Sequence, residues 1–296
     1  AGLIPYDVNV QLWSDGATKE RFIALPKNGS VVFKAKDQWE FPVGTVIVKT
    51  FFLQTDRTNP EKRRRLETRL WLHSPRGWEG YTYLWNDDQS EATLLADWPF
   101  RREYEIKTSE GPVKQEWYFP SRSDCQACHT HSVGFVLGLN TRQLNREEAR
   151  GKSNENQIER FKRLGLFTQP GELPPAAELE AYPDWEDKKA SLEKRARAYL
   201  DVNCAFCHIP GGFGMAGGSK ADLNYHNTFE KAFAVPPKAG PDAKHWIVPG
   251  QPQHSQLIQR MSSRDLKNQM PPLATNYPDR VALDVIESWI KEIPRK

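Results

Sequence analysis

The sequence predicts an α+β protein: a β-rich N-terminal sandwich or barrel followed by mostly helical segments. Between residues 30 and 120, short β-branched and aromatic runs are separated by turn residues, as in an antiparallel β structure. Beyond residue 120 the apolar residues recur with a helical period. These changes of pattern divide the 296 residues into a β-rich domain at 1–119, a segment with a cysteine motif and a linker at 120–185, and a helical domain at 186–296.

The strand predictions rest on alternation, because successive side chains of a strand point to opposite faces. Leu66, Leu70 and Leu72 alternate with polar or aromatic residues, and Ser74 to Gly77 has the composition of a tight turn, so residues 66–85 are predicted to form a hairpin. The candidate strands are 31–33, 44–53, 66–72, 78–85, 104–108 and 113–119.

Three later segments carry the spacing of amphipathic helices, namely 156–164, 192–203 and a last helix from about residue 278. Residues 168–184 are rich in proline and are expected to be a linker. The glycine-rich stretch 211–218 lacks the spacing of a phosphate-binding loop, so a flexible loop is expected there.

Charge and hydropathy exclude several classes of partner. The 41 basic and 38 acidic residues are interspersed and leave a net charge of +3, which does not indicate a nucleic-acid-binding surface. No apolar run approaches the roughly 18 residues of a membrane span. Residues 1–6 have neither a basic start nor an apolar core, which leaves a cleaved leader or a segment of a longer polypeptide as the alternatives.

Cysteine usage is the most informative feature of the chain. Its four cysteines form two CxxC pairs, each followed directly by histidine, at 125–129 and 204–208. In a CxxCH motif both thiols add to the vinyl groups of a haem and the histidine binds its iron. The sequence therefore predicts two covalently bound haem c groups, with thioethers at Cys125, Cys128, Cys204 and Cys207 and iron ligands at His129 and His208.

A zinc site and a thioredoxin-like redox pair are the alternatives for these motifs. Zinc requires a compact cluster of ligands, whereas the two pairs lie far apart in the chain, and a redox pair does not require the following histidine. With all four cysteines used for haem, no disulfide is expected. Haem attachment of this kind occurs outside the bacterial cytoplasm, so a periplasmic or secreted location is expected.

The second motif, between the helix at 192–203 and the last helix, resembles a class I cytochrome c. That resemblance implies that Met270, in the proline-containing loop 269–272, is the distal iron ligand, because a thioether is a soft ligand that raises the reduction potential. Met261, within a predicted helix, and Met215, among glycines, are the alternatives.

The first motif has no methionine after it before Met215. His73, at the end of a predicted strand, is the candidate distal ligand of its haem, and His226 is the next possibility. His131 lies too close to His129 to reach the opposite face of the same ring. An open iron is a further alternative.

Other clusters in the β-rich part have simpler interpretations. The aromatic residues Trp71, Trp78, Tyr81, Tyr83 and Trp85 suit core and cross-strand packing, with a sugar-binding platform as the alternative. The basic run 62–65 is expected in a solvated loop, with an acidic partner as the alternative. Asp87, Asp88 and Glu91 are expected in a turn rather than at a calcium site.

Nearly the whole chain resembles the two-haem cytochrome region of secreted bacterial proteins, often found as the tail of soluble-type sugar dehydrogenases that use pyrroloquinoline quinone. The matching stretches are 3–9, 12–17, 41–45, 81–86, 138–145, 203–208 and 249–252. The resemblance implies that the chain accepts electrons from a dehydrogenase, fused to it or encoded nearby, and passes them to a small redox acceptor.

The predicted function is a one-electron relay rather than catalysis. Two alternatives remain open. A peroxidase-like enzyme would use an open first haem, and a carbohydrate-binding β domain would carry the cytochrome to a polysaccharide.

Overall fold

The computed structural model describes residues 2–147, 155–169, 171, 173–184, 187–216, 221–233 and 245–295. Helices and antiparallel strands occur together, which confirms the α+β class. The chain divides into two compact units, each assembled from separate stretches of sequence. Unit 1 comprises Ala1–Val8, Gly16–Gln126 and Gly134–Ala181, and unit 2 comprises Asn9–Asp15, Ala127–Val133 and Tyr182–Lys296.

Unit 1 is built on a six-stranded antiparallel sheet whose strands follow one another in chain order. Its strands are β1 (Ile4–Tyr6), β2 (Thr18–Ala24), β3 (Val46–Gln54), β4 (Arg63–Ser74), β5 (Gly77–Trp85) and β6 (Ala92–Leu94). The predicted hairpin is confirmed: β4 pairs with β5 from Glu67–Leu84 to Ser74–Gly77, and Gly77 has a φ of 119°, which glycine adopts without strain.

A separate two-stranded sheet is formed by β7 (Phe100–Thr108) and β8 (Gly111–Phe119). The six-stranded sheet is open, since β1 and β6 are its two edges.

Two local predictions were wrong. Residues 31–33 make only isolated bridges, Val31 to Phe167 and Val32 to Glu40, and the basic run 62–65 lies largely inside β4 rather than in a loop.

Two apolar clusters form the core of unit 1. One includes Ile23, Ile47 and Trp71 of the sheet together with Leu139 and Phe161 from the chain after residue 134. The other joins Phe51 and Leu66 to Tyr104, Trp117 and Phe119 of the β7–β8 hairpin. The hairpin therefore covers one end of the sheet by burying its aromatic side chains there.

The helices are short except at the C-terminus. They are α1 (Arg122–Cys128), α2 (Thr141–Leu144), α3 (Gln157–Arg163), α4 (Leu192–Leu200), α5 (Phe213–Ala216), α6 (Phe229–Phe233), α7 (Gln256–Ser262) and α8 (Arg280–Glu292). The predicted helices at 156–164 and 278 onward are confirmed, and each begins at a side-chain cap: Asn156 accepts from Ile158 N at 2.9 Å and Asp279 from Ala282 N at 3.1 Å. Within the described residues, no helix combines the length and the apolar character needed to cross a membrane.

Unit 2 has one core, formed chiefly where α4 and α8 pack together. Leu200 of α4 and Ile286, Trp289 and Ile290 of α8 are all buried in it. The apolar side predicted for this amphipathic helix is thus its buried face, except that Val281 in the first turn is 56% exposed. After Leu200 the chain continues as a π-helical turn, Asp201–Ala205, which carries the first cysteine of the second motif.

Candidate functional site

The second motif follows directly from α4. The π-helical turn places Cys204 at the edge of the unit 2 core, and His208 N donates to Cys204 O at 3.0 Å. Burial and the neighbouring Cys207 and Asp201 raise the pKa of the Cys204 thiol to about 12. The motif is therefore held by the helix that precedes it.

A cavity of about 550 Å³, which includes its mouth to solvent, opens beside this motif. Cys204, His208 and Met270 all line it, together with Met261 and the indole of Trp246. The structure thus brings three of the predicted haem-binding residues to one cavity, although Met270 is distant from the motif in sequence. Cys207, the fourth, faces the first motif as described below.

The His208 side chain is 6% exposed and lies edge-on to Trp246, with ring centroids 5.4 Å apart. Burial, with the positive charge of Arg260 nearby, lowers the pKa of His208 to about 4. The imidazole is therefore neutral at ordinary pH, which is the form that binds a metal. A β-carbon on Gly214 would lie 3.0 Å from His208 Cε1, so the absence of a side chain there lets the chain pass against the ring.

The three candidate methionines occupy different places. Met270 is half-buried in the loop between α7 and α8, where its N–H donates to Arg260 O at 2.9 Å. Met261 is buried in the core at the end of α7 and also lines the cavity. Met215 lies on α5 and is not among the described residues that line the cavity.

An N-terminal segment, residues 9–15, closes part of this cavity, and nothing in the motif pattern indicated it. Trp13 lines the cavity; its N–H donates to Asn203 Oδ1 at 2.7 Å and its indole to Tyr277 O at 2.8 Å. Asp15 accepts from the backbone N–H groups of Asn276 and Tyr277, each at 3.0 Å. Trp13 and Asp15, both within the stretch 12–17, thus hold this segment against the C-terminal part of unit 2 through hydrogen bonds.

The second half of the first motif also belongs to unit 2. Cys128 hydrogen-bonds the Cys207 side chain and lowers the pKa of that thiol, and Cys207 Sγ lies 3.9 Å from Ala127 O. The half-buried His129 follows at the end of α1. The two motifs therefore meet through their second cysteines.

Cys125 belongs to unit 1, where it packs against the sheet over Gly80. A β-carbon on Gly80 would lie 3.3 Å from Cys125 Sγ and 3.0 Å from Trp71 Cζ3. The indole of Trp71 donates to Phe135 O at 2.9 Å, which fixes the ring beside the cysteine. Burial raises the pKa of the Cys125 thiol, and the nearby Arg69 partly opposes that shift.

His73 lies on the same face of the sheet, at the end of β4. Its ring stacks on Trp78 at 4.4 Å between centroids, and its Nδ1 is 3.0 Å from Phe41 O. Because a carbonyl only accepts, Nδ1 is the donor of this hydrogen bond, and Nε2 is the ring nitrogen left to bind a metal. The alternatives His226 and His131 are both exposed.

The aromatic, acidic and glycine-rich clusters of the sequence have local structural explanations. Trp71 and Trp78 lie on one face of the sheet and Tyr81, Tyr83 and Trp85 on the other, in the predicted alternation. Asp87 binds Arg64 and Arg102, and Asp88 accepts from Ser90 Oγ at 2.7 Å. Residues 211–216 of the glycine-rich stretch include α5, and residues 217 and 218 lie outside the described residues.

The donor set fits a covalently attached haem. Two paired thiols, a neutral buried imidazole and a thioether are the groups that such a cofactor uses, and the cavity that three of them line is mainly apolar. In the described parts of the chain, no group of three or more His, Cys, Asp or Glu side chains is arranged to bind a metal ion. Comparisons with known protein families, curated proteins and solved structures found no match for this chain.

Proposed function

We propose that this chain is a two-haem c-type cytochrome that relays single electrons outside the bacterial cytoplasm. The observation that carries the proposal is the pair of CxxCH motifs, the second of which shares a cavity with Met270. Cys204 and Cys207 would hold the second haem, and His208 and Met270 would bind its iron. Cys125, Cys128 and His129 would hold the first.

When bound, haem c supplies reversible one-electron chemistry at its iron. The chain contributes the setting for that chemistry. The neutral His208 needs no proton release to act as a ligand, and Trp13 and Trp246 line the cavity with aromatic rings. The backbone N–H of Met270 donates to Arg260 O, which holds its loop beside α7.

Contact between the motifs supports relay rather than two independent sites. Because Cys128 and Cys207 touch, two groups attached there would be neighbours, which favours electron exchange over a short path. By its resemblance to the tail of quinoprotein sugar dehydrogenases, the chain would take electrons from such a dehydrogenase and deliver them to a small redox acceptor.

The test is haem stoichiometry after expression in a host that matures c-type cytochromes. Intact mass should show two covalent haems in the native chain and one each in the paired variants Cys125→Ala/Cys128→Ala and Cys204→Ala/Cys207→Ala. Extraction of the pigment by acidified acetone, or an apoprotein mass for the native chain, would contradict the proposal.

The same preparation separates the relay from the peroxidase-like alternative. If the chain's own residues occupy both haem irons, carbon monoxide should leave the reduced spectrum of the native protein unchanged. His73→Ala should then create one haem that binds carbon monoxide, and the exposed control His226→Ala should create none. Carbon monoxide binding by the native protein at the first haem would favour the peroxidase-like enzyme instead.

A further inference from the structure

A row of polar side chains crosses one face of the unit 1 sheet. The strand register places Tyr6 of β1, Arg21 of β2, Lys49 of β3, Arg69 of β4 and Thr82 of β5 side by side. On one side, the next residues on this face are Ile47 and Trp71, which belong to the first core cluster. On the other side, Phe51 of the second cluster lies between the charged residues Lys19 and Glu67. The polar row therefore adjoins an apolar cluster on one side and further charged positions on the other.

Two of its cations already have carboxylate partners. Arg69 binds the fully buried Glu67 through Nε at 3.0 Å, and Trp117 also donates to Glu67 at 3.0 Å. Arg21 lies 3.5 Å from Asp7. The charges of these two pairs are thus compensated within the chain.

Lys49 differs from them. No hydrogen bond or ion pair reaches its ammonium group from the described residues. Burial, followed by the positive charges of Arg21 and Arg69, lowers the pKa of Lys49 to about 7. The charges of Cys125 and Glu67 oppose this shift, but Glu67 already pairs with Arg69, so no described residue gives Lys49 a hydrogen-bonded anion.

The neighbouring Tyr6 hydroxyl lacks an acceptor as well. Tyr6 is 3% exposed and its hydroxyl has no hydrogen-bond partner in the described residues. A buried hydroxyl left without a hydrogen bond destabilises a folded protein, so such groups are rare in proteins. Tyr6 and Lys49 flank Arg21 in the same row, and both require an acceptor oxygen.

Cys125 lies close to this row. Its sulfur lies over Gly80 of β5, which pairs with Trp71 two residues along the strands from the Arg69–Thr82 pair and on the same face. Lys49, on β3, is two strand spacings from β5, or about 10 Å. A porphyrin attached through its vinyl edge at Cys125 carries its two carboxylates on the opposite edge.

We propose, resting on the haem attachment proposed above, that Lys49 and the Tyr6 hydroxyl, with Arg21 between them, bind a propionate carboxylate of the haem attached at Cys125. The bound carboxylate would complete the hydrogen bond of Tyr6 and pair with Lys49. The lysine charge would then favour the reduced iron, because it opposes the added positive charge of the oxidised one.

The test is a spectroelectrochemical titration of the two-haem protein. Lys49→Met should lower the midpoint potential of one haem and leave the other unchanged. Tyr6→Phe, which removes only the hydroxyl, should shift the same haem by a smaller amount. Lys114→Met is the matched control, since Lys114 lies on β8 and its side chain is 74% exposed, and both potentials should stay at the native values.

Three results would overturn the inference. Two attached haems with native potentials in both Lys49→Met and Tyr6→Phe would show that the row binds no propionate. A shift of the native potentials on adding acetate, abolished in Lys49→Met, would assign the row to a free carboxylic acid. Equal shifts of both haems would show a long-range charge effect. Failure of haem attachment in the native chain would instead contradict the proposed function, and mass detects it separately.

Discussion

Met270, the iron ligand that the sequence predicts, and its alternative Met261 both line the cavity beside His208. Met261 is 7% exposed in the α7 core, whereas Met270 is half-buried in a loop. A buried core methionine is satisfied by packing, while a thioether on a loop facing the cavity gains most from binding iron. The placement therefore supports Met270 as the distal ligand.

We expect Met270→Ala to lower the potential of the second haem and to make its reduced form bind carbon monoxide, because a soft ligand that favours reduced iron is lost. Redox titration and the carbon monoxide spectrum measure both effects. Met261→Leu, a nearly volume-conserving change in the same cavity, is the control and should retain the native ligation. The reverse pattern would identify Met261 as the ligand.

Residues whose role depends on distant contacts could not be found from the sequence. The cysteines and histidines of the motifs are adjacent in sequence, and their spacing alone predicts a chemistry. Trp13 lines the cavity only because Asn203 and Tyr277 hold it there, and Gly214 matters only because His208 lies against it. A local pattern contains neither fact.

Among the elements, β2 shows why a strand escaped prediction. Its buried positions are Lys19, Arg21 and Ile23, so polar and apolar residues do not alternate between its two faces. Residue types alternate in β4 and β5, and β3 is rich in β-branched and aromatic residues, so the sequence predicts these three strands. One of these inward charges, Arg21, belongs to the polar row and lies beside Lys49.

The contact between α1 and β5 depends on the absence of a side chain at Gly80. We expect Gly80→Ala to destabilise the protein by about 1–3 kcal/mol, because the new methyl group must displace Trp71 or Cys125. Denaturant unfolding measures the loss, and the yield of haem at the first motif should fall with it.

Gly171→Ala is the control for that change, since a β-carbon there meets no atom within 4 Å. Its stability should match that of the native protein or exceed it slightly. A Gly80→Ala protein with native stability and two haems would show that the sheet and α1 adjust without cost.

On the scale of the whole molecule, the division into two units depends on contacts between distant segments, which the sequence does not predict. Residues 9–15 and 127–133 belong to unit 2, although both are flanked in sequence by unit 1. The boundary predicted at residue 120 reflects a change from strand-like to helix-like spacing of apolar residues. Such spacing shows the local secondary structure, but it does not show which distant segment a short connecting stretch will contact.

Stability as a function of pH tests whether Lys49 is paired in the complete protein. The chain alone lowers the pKa of Lys49 to about 7, from 10.5 when solvated. Between these values the unfolded chain binds the extra proton, so stability should rise with pH. We expect this rise in Cys125→Ala/Cys128→Ala, which lacks the first haem, and not in the native protein, where a propionate would restore the lysine charge. Lys49→Met placed in the haem-lacking variant should abolish the rise. An equal rise in the native protein would mean that no anion reaches Lys49.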